Sequence, residues 1–196
     1  MPLDFLTVLV SMFVIIDPLI AIPTFIALFG KSERKIQKKA ALEASIAALL
    51  ILIAFSLLGT AILERMSISL PAFMVAGGIL LLYLSFEFIR GELPKSRTVE
   101  KDPADVVVPI ATPLLAGPGA ITTSIYFTHV YGSSITLAAI FFVCFFCFFF
   151  LYYSTRILKI VGKNGLKIFT RIMGFLTAGI AISLMEKALI YWGLIV

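Results

Sequence analysis

Six apolar stretches of about 20 residues each dominate this 196-residue sequence. A helix needs roughly 20 apolar residues to cross the hydrocarbon core of a bilayer. The chain is 61% hydrophobic and only 14% charged, whereas soluble domains carry about 25% charged residues. A soluble protein of this length could not bury so much apolar surface. The sequence therefore predicts an all-α membrane protein with six transmembrane helices. The predicted spans are residues 5–29, 40–63, 71–89, 106–128, 135–154 and 168–192.

The lysines and arginines are concentrated between alternate apolar stretches. Fourteen of the sixteen lie in residues 31–39, 90–101 and 156–171, and the other two are Arg65 and Lys187. The positive-inside rule places such basic loops in the cytoplasm. We therefore predict a multi-pass protein of the cell (inner) membrane with both termini outside. We expect the basic loops to contact membrane lipid, and we expect no nucleic-acid partner, because membrane topology already accounts for the net charge of +5.

A charged interval separates the apolar stretches into two groups of three. This predicts a first three-helix repeat over 1–89, a cytoplasmic linker over 90–105 and a second three-helix repeat over 106–196. Because three is an odd number, the second repeat would cross the membrane in the opposite direction to the first. Inverted-topology repeats of this kind are typical of secondary transporters.

One motif recurs in the first apolar stretch of each half. Residues 17–23 read Asp-Pro-Leu-Ile-Ala-Ile-Pro, and residues 112–118 read Thr-Pro-Leu-Leu-Ala-Gly-Pro. Chance similarity between two short apolar sequences is the alternative explanation. Paired prolines remove backbone donors and interrupt a helix, and interrupted backbone at membrane depth packs against protein or lines a wet cavity. We therefore predict that the first and fourth helices, TM1 and TM4, are broken near the midplane and together form the substrate site.

The second motif predicts the start of a half-helix that binds an anion. Gly117 would lie at the helix cap, and Pro118 suits the first helical position. The amides of Gly119, Ala120 and Ile121 would then be unpaired, and the helix dipole would favour a carboxylate there. Because Gly-Pro-Gly leaves little room for a bulky ligand, a small zwitterion is the favoured substrate.

Asp17 has two compatible interpretations. It contacts an ammonium group or a proton in the predicted site, or it only caps the second part of its own helix. For Thr24, Thr122, Thr123 and Ser124, we expect at least half of the hydroxyls to bond back to helix carbonyls. The candidate substrate-binding residues are Asp17, Ile20, Ala21, Thr24, Ala116, Gly117, Gly119, Ala120, Ile121, Thr122 and Thr123.

Three glutamates lie within or near the apolar stretches, where a carboxylate is costly and is a functional candidate by default. We expect Glu43 to be solvated, Glu87 to pair with Arg90 at the membrane surface, and Glu186 to lie beside Lys187 near the outer end. The candidates for ion coupling are Asp17, Glu87 and Glu186.

Cys144 and Cys147 have Cys-x-x-Cys spacing, but they are embedded in a run of phenylalanines. A zinc site would need further soft ligands, so we expect both to behave as hydrophobic side chains facing lipid or the core. His129 is expected at the membrane interface. The sequence contains no nucleotide-binding loop, catalytic triad or metalloprotease motif. We therefore predict no enzymatic activity, no metal site and no cofactor.

The chain resembles the MarC family of six-helix inner-membrane proteins along its full length. The resemblance rests on the motif at 17–25 and on the longer motif at 109–122, Pro-Ile-Ala-Thr-Pro-Leu-Leu-Ala-Gly-Pro-Gly-Ala-Ile-Thr. It is closer to archaeal members that transport small neutral amino acids. Ile20 and Ala21 stand where the family usually has Gly-Asn, which removes a side-chain amide from the presumed site. The resemblance implies proton-linked uptake or exchange of glycine, alanine and similar amino acids.

Together these features predict a secondary active transporter of glycine and alanine that works by alternating access, with a proton or sodium as the coupling ion. Whether the chain forms a homo-oligomer stays open. One alternative is an exporter of drugs or other small metabolites, which would need a large apolar pocket. Another is a non-transporting membrane scaffold, in which the helix breaks would be packed and dry.

Overall fold

The computed structural model describes residues 2–30, 32–91 and 115–195 of the chain. These residues form seven α-helices and contain no β-strand, which confirms the predicted all-α class. The helices are α1 (Pro2–Ile16), α2 (Pro18–Phe29), α3 (Arg34–Arg65), α4 (Leu70–Arg90), α5 (Pro118–Tyr131), α6 (Ser133–Tyr152) and α7 (Ser154–Tyr191).

Five segments of the described chain are helical, long and apolar enough to cross a membrane. They are Leu3–Phe29, Arg34–Arg65, Leu70–Arg90, Ser133–Tyr152 and Asn164–Tyr191. Helix α5 has only 14 residues, which is too short to cross a hydrocarbon core of about 30 Å at a rise of about 1.5 Å per residue. The first part of the predicted TM4, residues 106–114, lies outside the described residues. The multi-pass helical architecture is therefore confirmed, whereas the six-helix inverted repeat stays a prediction.

The first candidate span is interrupted near its middle by a single residue. Helix α1 ends at Ile16, and Asp17 adopts a left-handed backbone conformation (φ 42°, ψ 77°) before α2 begins at Pro18. Asp17 Oδ1 accepts hydrogen bonds from the amides of Leu19 and Ile20, at 3.2 and 3.3 Å. It thus satisfies two of the amides that a helix N-terminus leaves without a helical carbonyl. The predicted break in TM1 lies at this residue, and Asp17 caps the following helix.

Pro23 does not cause the second interruption that its spacing from Pro18 led us to expect. It lies inside α2, which continues to Phe29. Because proline has no N–H, the carbonyl of Leu19 loses its usual helical donor. A helix in a membrane protein tolerates one such loss, since local adjustment and neighbouring groups can satisfy the freed carbonyl.

Most of the basic residues lie on helices rather than in loops, contrary to the sequence-based expectation. Helix α3 begins at Arg34 and so includes Lys35 and Lys38. The described basic residues of 156–171 belong to α7, which bends at Gly162 (φ 71°, ψ 167°), a conformation that glycine adopts readily. For 34–39 and 156–171 the structure thus replaces the predicted loops with helix, because hydropathy registers only the apolar part of a helix, while lysine and arginine are themselves good helix formers. The basic residues of 92–101 lie outside the described residues.

Helices α4 and α7 pack closely along their length. A Cβ atom at Gly78 would lie 2.6 Å from Cγ of Met185, and one at Gly174 would lie 3.0 Å from Cβ of Phe88. Small residues allow helices to approach in this way where no hydrophobic effect drives them together. These contacts hold the middle of α4 against the C-terminal part of α7, and the end of α4 against the middle of α7.

The outside of the helices carries large apolar side chains. Leu58, Ile79, Phe141 and Phe175 are all exposed, and each lies on one of the candidate spans. A water-soluble monomer rarely exposes extended apolar surface of this kind. The surface therefore suits contact with lipid, while the polar residues described next face the interior of the helix assembly.

Candidate functional site

Asp17 presents one carboxylate oxygen that has no partner among the described residues. The side chain is only 3% exposed, and Oδ1 is occupied by the two amides of α2. Oδ2 is buried and accepts no hydrogen bond from any described group. Buried polar atoms are nearly always paired, so an unpaired carboxylate oxygen indicates a position for a cation or a donor.

The N-terminus of α5 provides a group of opposite character. Gly117 is the N-cap, has extended backbone (φ −68°, ψ 170°) and has no side chain with which to cap the helix, and Pro118 follows at the first helical position. Pro118 has no N–H, so the amides of Gly119 and Ala120 are the first donors of this helix. Helix geometry supplies no intrahelical carbonyl for either of them. The predicted helix start at Pro118 is therefore confirmed, while the first part of the predicted TM4 lies outside the described residues.

Ile121 is a correction to the predicted set of free amides. Its N–H donates to the carbonyl of Gly117 at 3.0 Å. The carbonyl of a cap residue already accepts the first intrahelical hydrogen bond, so only the amides of Gly119 and Ala120 at this end lack a backbone partner among the described residues. Both of these residues are buried.

A cavity of about 130 Å³ lies between these two helix ends, and we call it the central cavity. It is bounded by the α1–α2 break, by the start of α5, by α4 and by α7. Its wall consists of Ile15, Ile16, Asp17, Ile20, Leu81, Leu84, Phe88, Gly117, Gly119, Ala120 and Thr177. The two motifs that recur in the sequence therefore meet at one cavity.

Gly119 makes this meeting possible. A Cβ atom at this position would collide with the side chain of Leu81, which lies on the same wall of the central cavity. A glycine also leaves the backbone amides open to close approach by a ligand. The residue thus has a packing role against α4 and exposes the N-terminus of α5 to the cavity.

Thr177 is a member of the site that the sequence-based reasoning missed. It is 1% exposed, lines the central cavity, and its hydroxyl has no partner among the described residues. The only sequence signal was a lone hydroxyl in an apolar stretch. That signal is weak, because most such hydroxyls bond back to the preceding helical turn, as the hydroxyl of Thr170 does to the carbonyl of Leu166 at 2.9 Å.

The hydroxyls at the start of α5 follow the expected pattern of back-bonding. Thr122 donates to the carbonyl of Pro118 at 2.9 Å, Thr123 to that of Gly119 at 2.7 Å, and Ser124 to the carbonyl three residues before it at 2.8 Å. These hydroxyls are therefore occupied by their own helix and do not face the central cavity.

Five of the eleven predicted substrate-binding residues line the central cavity, and six do not. The five are Asp17, Ile20, Gly117, Gly119 and Ala120. The other six are Ala21, Thr24, Ala116, Ile121, Thr122 and Thr123. All of these but Ile121 are buried, and Thr123 lines a different cavity described below.

The two glutamates proposed for ion coupling lie away from the central cavity. Glu87 is half-buried and Glu186 is exposed, and neither belongs to the cavity wall. Within the described chain, Glu87 forms no ion pair with Arg90. On α3, Glu43 forms an ion pair with Lys39 one turn earlier, with 3.7 Å between Oε1 and Nζ. Among the three ion-coupling candidates, only Asp17 belongs to the site.

The two cysteines and the single histidine make packing contacts. Cys144 and Cys147 are free and buried within the helix assembly. The His129 ring lies 6.5 Å from the Tyr191 ring, centre to centre. None of these residues lines the central cavity.

The chain is similar to known membrane proteins along nearly its whole length. Residues 3–192 match the family described as MarC family integral membrane protein. The chain belongs to the MarC family. The match spans both sides of the central cavity, so the whole site lies within the family region. No solved structure matches the chain.

Relatives of this MarC family chain occur in both bacteria and archaea. It is 35% identical over 189 residues to a UPF0056 membrane protein of Methanocaldococcus jannaschii, covering 91% of this chain and 92% of that protein. It is 34% identical over 187 residues to one of Buchnera aphidicola subsp. Schizaphis graminum, covering 90% and 87%. It is 28% identical over 187 residues to YhcE of Escherichia coli, covering 88% and 86%.

These names describe membrane proteins and mention no transported compound. The expected resemblance to archaeal amino-acid transporters in particular is therefore not supported, since the relatives are not restricted to archaea. The family membership and the membrane location rest on the comparisons. The activity has to be argued from the site.

Proposed function

We propose that this MarC family protein is a secondary active transporter of small neutral amino acids, with glycine and alanine as its leading substrates. One observation carries the proposal: an unpaired carboxylate oxygen of Asp17 and the amide end of α5 line the same cavity of about 130 Å³. A negative group and the positive end of a helix dipole, facing one small space, complement the two charges of a zwitterion.

Each end of the amino acid has a natural position in this arrangement. The carboxylate accepts hydrogen bonds from the amides of Gly119 and Ala120, which have no helical carbonyl to bond. The ammonium donates to Oδ2 of Asp17 and to the hydroxyl of Thr177, both of which lack partners among the described residues. Hydrogen bonds to charged groups are the stronger class, with net contributions of about 1.5–3 kcal/mol each.

The size of the central cavity limits the substrate. Liquid water occupies about 30 Å³ per molecule, so the cavity offers room for about four waters. Leu81, Leu84 and Phe88 form apolar walls around it. Space on this scale suits glycine or alanine better than amino acids with aromatic side chains.

Coupling to an ion follows from the burial of Asp17. An ionised carboxylate without a partner is costly in an apolar environment, so the substrate ammonium at Oδ2 relieves that cost in the loaded site, and a proton or sodium at Oδ2 relieves it in the empty site. We propose a proton as the coupling ion and sodium as the alternative. Alternating access then requires that Oδ2 of Asp17 is paired, with the ammonium or with the coupling ion, while the site changes the side of the membrane that it faces.

The test is uptake by the purified protein. Proteoliposomes should take up labelled glycine faster than protein-free vesicles, and an imposed proton gradient should increase the rate. A sodium gradient in place of the proton gradient identifies the coupling ion. No uptake or exchange of any small neutral amino acid by correctly folded protein would refute the proposal.

A second candidate function is the export of apolar drugs or metabolites. It is favoured by a larger cavity of about 340 Å³, whose wall includes Pro23, Ile26, Ala27, Leu158 and Leu166. This cavity does not contain Asp17 or the start of α5. Transport inhibited by bulky apolar compounds, with no effect of glycine, would favour this function over the first.

A further inference from the structure

Three cavities lie one after another along the helix assembly. The central cavity is flanked by one of about 90 Å³, which we call the Lys187 cavity, and by the one of about 340 Å³, which we call the Lys167 cavity. The Lys187 cavity is lined by Thr7, Ser11, Thr123, Tyr126, Phe127, Tyr131, Ile180, Ser183, Leu184 and Lys187. Lys167 lies on the wall of the larger cavity together with Thr170.

The three cavities follow one another in the same spatial order along two walls, one formed by α1 and α2 and the other by α7. Along α1 and α2, Ser11 lines the Lys187 cavity, Asp17 the central cavity and Pro23 the Lys167 cavity. On α7 the order reverses along the chain, from the Lys167 cavity at Thr170 through the central cavity to the Lys187 cavity at Ser183. The two walls therefore run antiparallel, and the three cavities form a single line between them.

We propose that these three cavities are successive parts of one translocation path, with α7 as its continuous wall. This inference rests on the proposed transport function and adds the route to it. From Thr170 to Ser183 the path follows α7 for roughly 20 Å at the usual helical rise. That is a large part of the roughly 30 Å hydrocarbon core.

The chemistry of the two ends suits a zwitterion. Lys187 lines one end cavity, where its ammonium lies 5.1 Å from the centre of the Tyr126 ring. Lys167 lines the other end cavity and is exposed. A cation near each end attracts the substrate carboxylate, while the carboxylate of Asp17 holds the ammonium at the centre.

The path is interrupted on each side of the central cavity by about one helical turn. Towards the Lys187 cavity, the interruption on α5 lies between Ala120, which lines the central cavity, and Thr123, which lines the Lys187 cavity. Towards the Lys167 cavity, the interruption on α2 lies between Ile20, which lines the central cavity, and Pro23, which lines the Lys167 cavity. Because one turn is about 5.4 Å, a small shift of these helices joins the central cavity to either end.

On α4, the second interruption lies between Phe88 and Gly91. Phe88 lines the central cavity, and Gly91, one turn later at the end of α4, lines the Lys167 cavity. Phe88 also packs against α7 at Gly174, where a Cβ atom would approach it to 3.0 Å. Movement of α4 along α7 would therefore open or close this side of the path.

The hydroxyl groups of the path distinguish it from the lipid-facing side of the same helix. Ser183 and Thr170 line cavities, whereas their neighbours Ile182 and Phe169 are exposed apolar residues. Each pair is adjacent in sequence, so the two members lie at nearly equal depth. The pairs thus offer matched positions for a test that separates water from lipid.

The test is cysteine labelling in a background without the native cysteines (Cys144→Ala, Cys147→Ala). Ser183→Cys and Thr170→Cys are compared with Ile182→Cys and Phe169→Cys in sealed vesicles, using a membrane-impermeant methanethiosulfonate. Because the thiolate is the reactive form and is disfavoured in apolar surroundings, we expect the cavity positions to react faster by on the order of tenfold or more. S183C and T170C should react from opposite sides, and labelling of either should block glycine uptake.

Equal rates within each pair, or reaction of both cavity positions from one side only, would overturn the path. If a variant does not fold, Ser11→Cys and Ala27→Cys probe the two end cavities from the opposite wall. The labelling requires no knowledge of the substrate. Paired labelling without amino-acid uptake would therefore refute the proposed function alone, and uptake without paired labelling would refute the path alone.

Discussion

Asp17 and Thr177 line the same cavity, although they belong to the first and the last candidate spans of the described chain. Each presents a buried polar atom without a partner among the described residues, a carboxylate oxygen in one case and a hydroxyl in the other. Two such atoms around one small space are hard to explain as packing alone, since buried polar groups are normally paired. Their position next to the amide end of α5 gives the site its complementary charges.

Asp17→Asn should separate the binding role of this residue from its capping role. Asparagine is an equally good helix cap and tolerates the left-handed conformation, so the α1–α2 break should persist. Loss of the charge facing the ammonium should weaken glycine binding by about 1.5–3 kcal/mol, or roughly tenfold to more than a hundredfold. Isothermal titration with glycine measures this, and Glu43→Gln on the surface of α3 is the control. Unchanged affinity would assign Asp17 to capping alone.

Gly119→Ala should abolish glycine binding, because the new methyl group meets Leu81 and covers the amides of α5. Gly179→Ala is the matched control, since a Cβ atom there meets nothing within 4 Å. Alanine in place of glycine inside a helix is otherwise neutral or stabilising. Uptake assays and melting temperatures should be measured for both variants.

The double variant Gly119→Ala with Leu81→Ala separates packing from binding. Shortening Leu81 removes the atoms that the new Cβ would strike. We expect it to restore the melting temperature of the single variant while binding stays lost. Recovery of glycine binding in the double variant would show that Gly119 serves packing only.

Thr177→Val should weaken glycine binding without lowering the stability of the protein. Valine has nearly the same shape, and it removes a buried hydroxyl that has no partner among the described residues. Removal of an unsatisfied buried group costs no stability and is neutral or stabilising by about 1 kcal/mol, while a lost ligand hydrogen bond weakens glycine binding by about 0.5–1.5 kcal/mol. Thr136→Val is the control, because that hydroxyl is bonded to the carbonyl of Gly132 at 3.0 Å. A fall in melting temperature with unchanged glycine affinity would contradict the assignment.

Phe88→Leu should broaden the range of substrates. The substitution enlarges the central cavity at Phe88, near the end of α4 where Gly91 lines the Lys167 cavity. We expect valine or leucine to compete with labelled glycine in the variant and not in the unchanged protein. Phe175→Leu, at an exposed position on α7, is the control. A competition profile identical to that of the unchanged protein would place Phe88 outside the substrate's surroundings.

Both helix starts at the site were predictable because their causes are local. Proline at position 18 lacks a donor and aspartate at position 17 caps the helix that follows, so neither effect depends on distant residues. The start of α5 at Pro118 likewise follows from a proline at the first helical position, although Gly117 has no side chain to cap it. Ile121 shows the limit of this reasoning even at short range. The amide of Ile121 donates a hydrogen bond to the carbonyl of Gly117, and this bond becomes evident only when the geometry of the first helical turn is known.

The apolar stretches, their approximate positions and the all-α class were determined by the sequence itself, because hydropathy over about 20 residues is a property of composition and not of contacts. Which residues line the central cavity was decided by the tertiary structure. The rotation of each helix turned Ile20 towards the cavity and Ala21 and Thr24 away from it. Thr177 joined the site only because α7 packs back against α1, α2 and α4, and a long-range contact of that kind leaves no periodicity in the sequence to read.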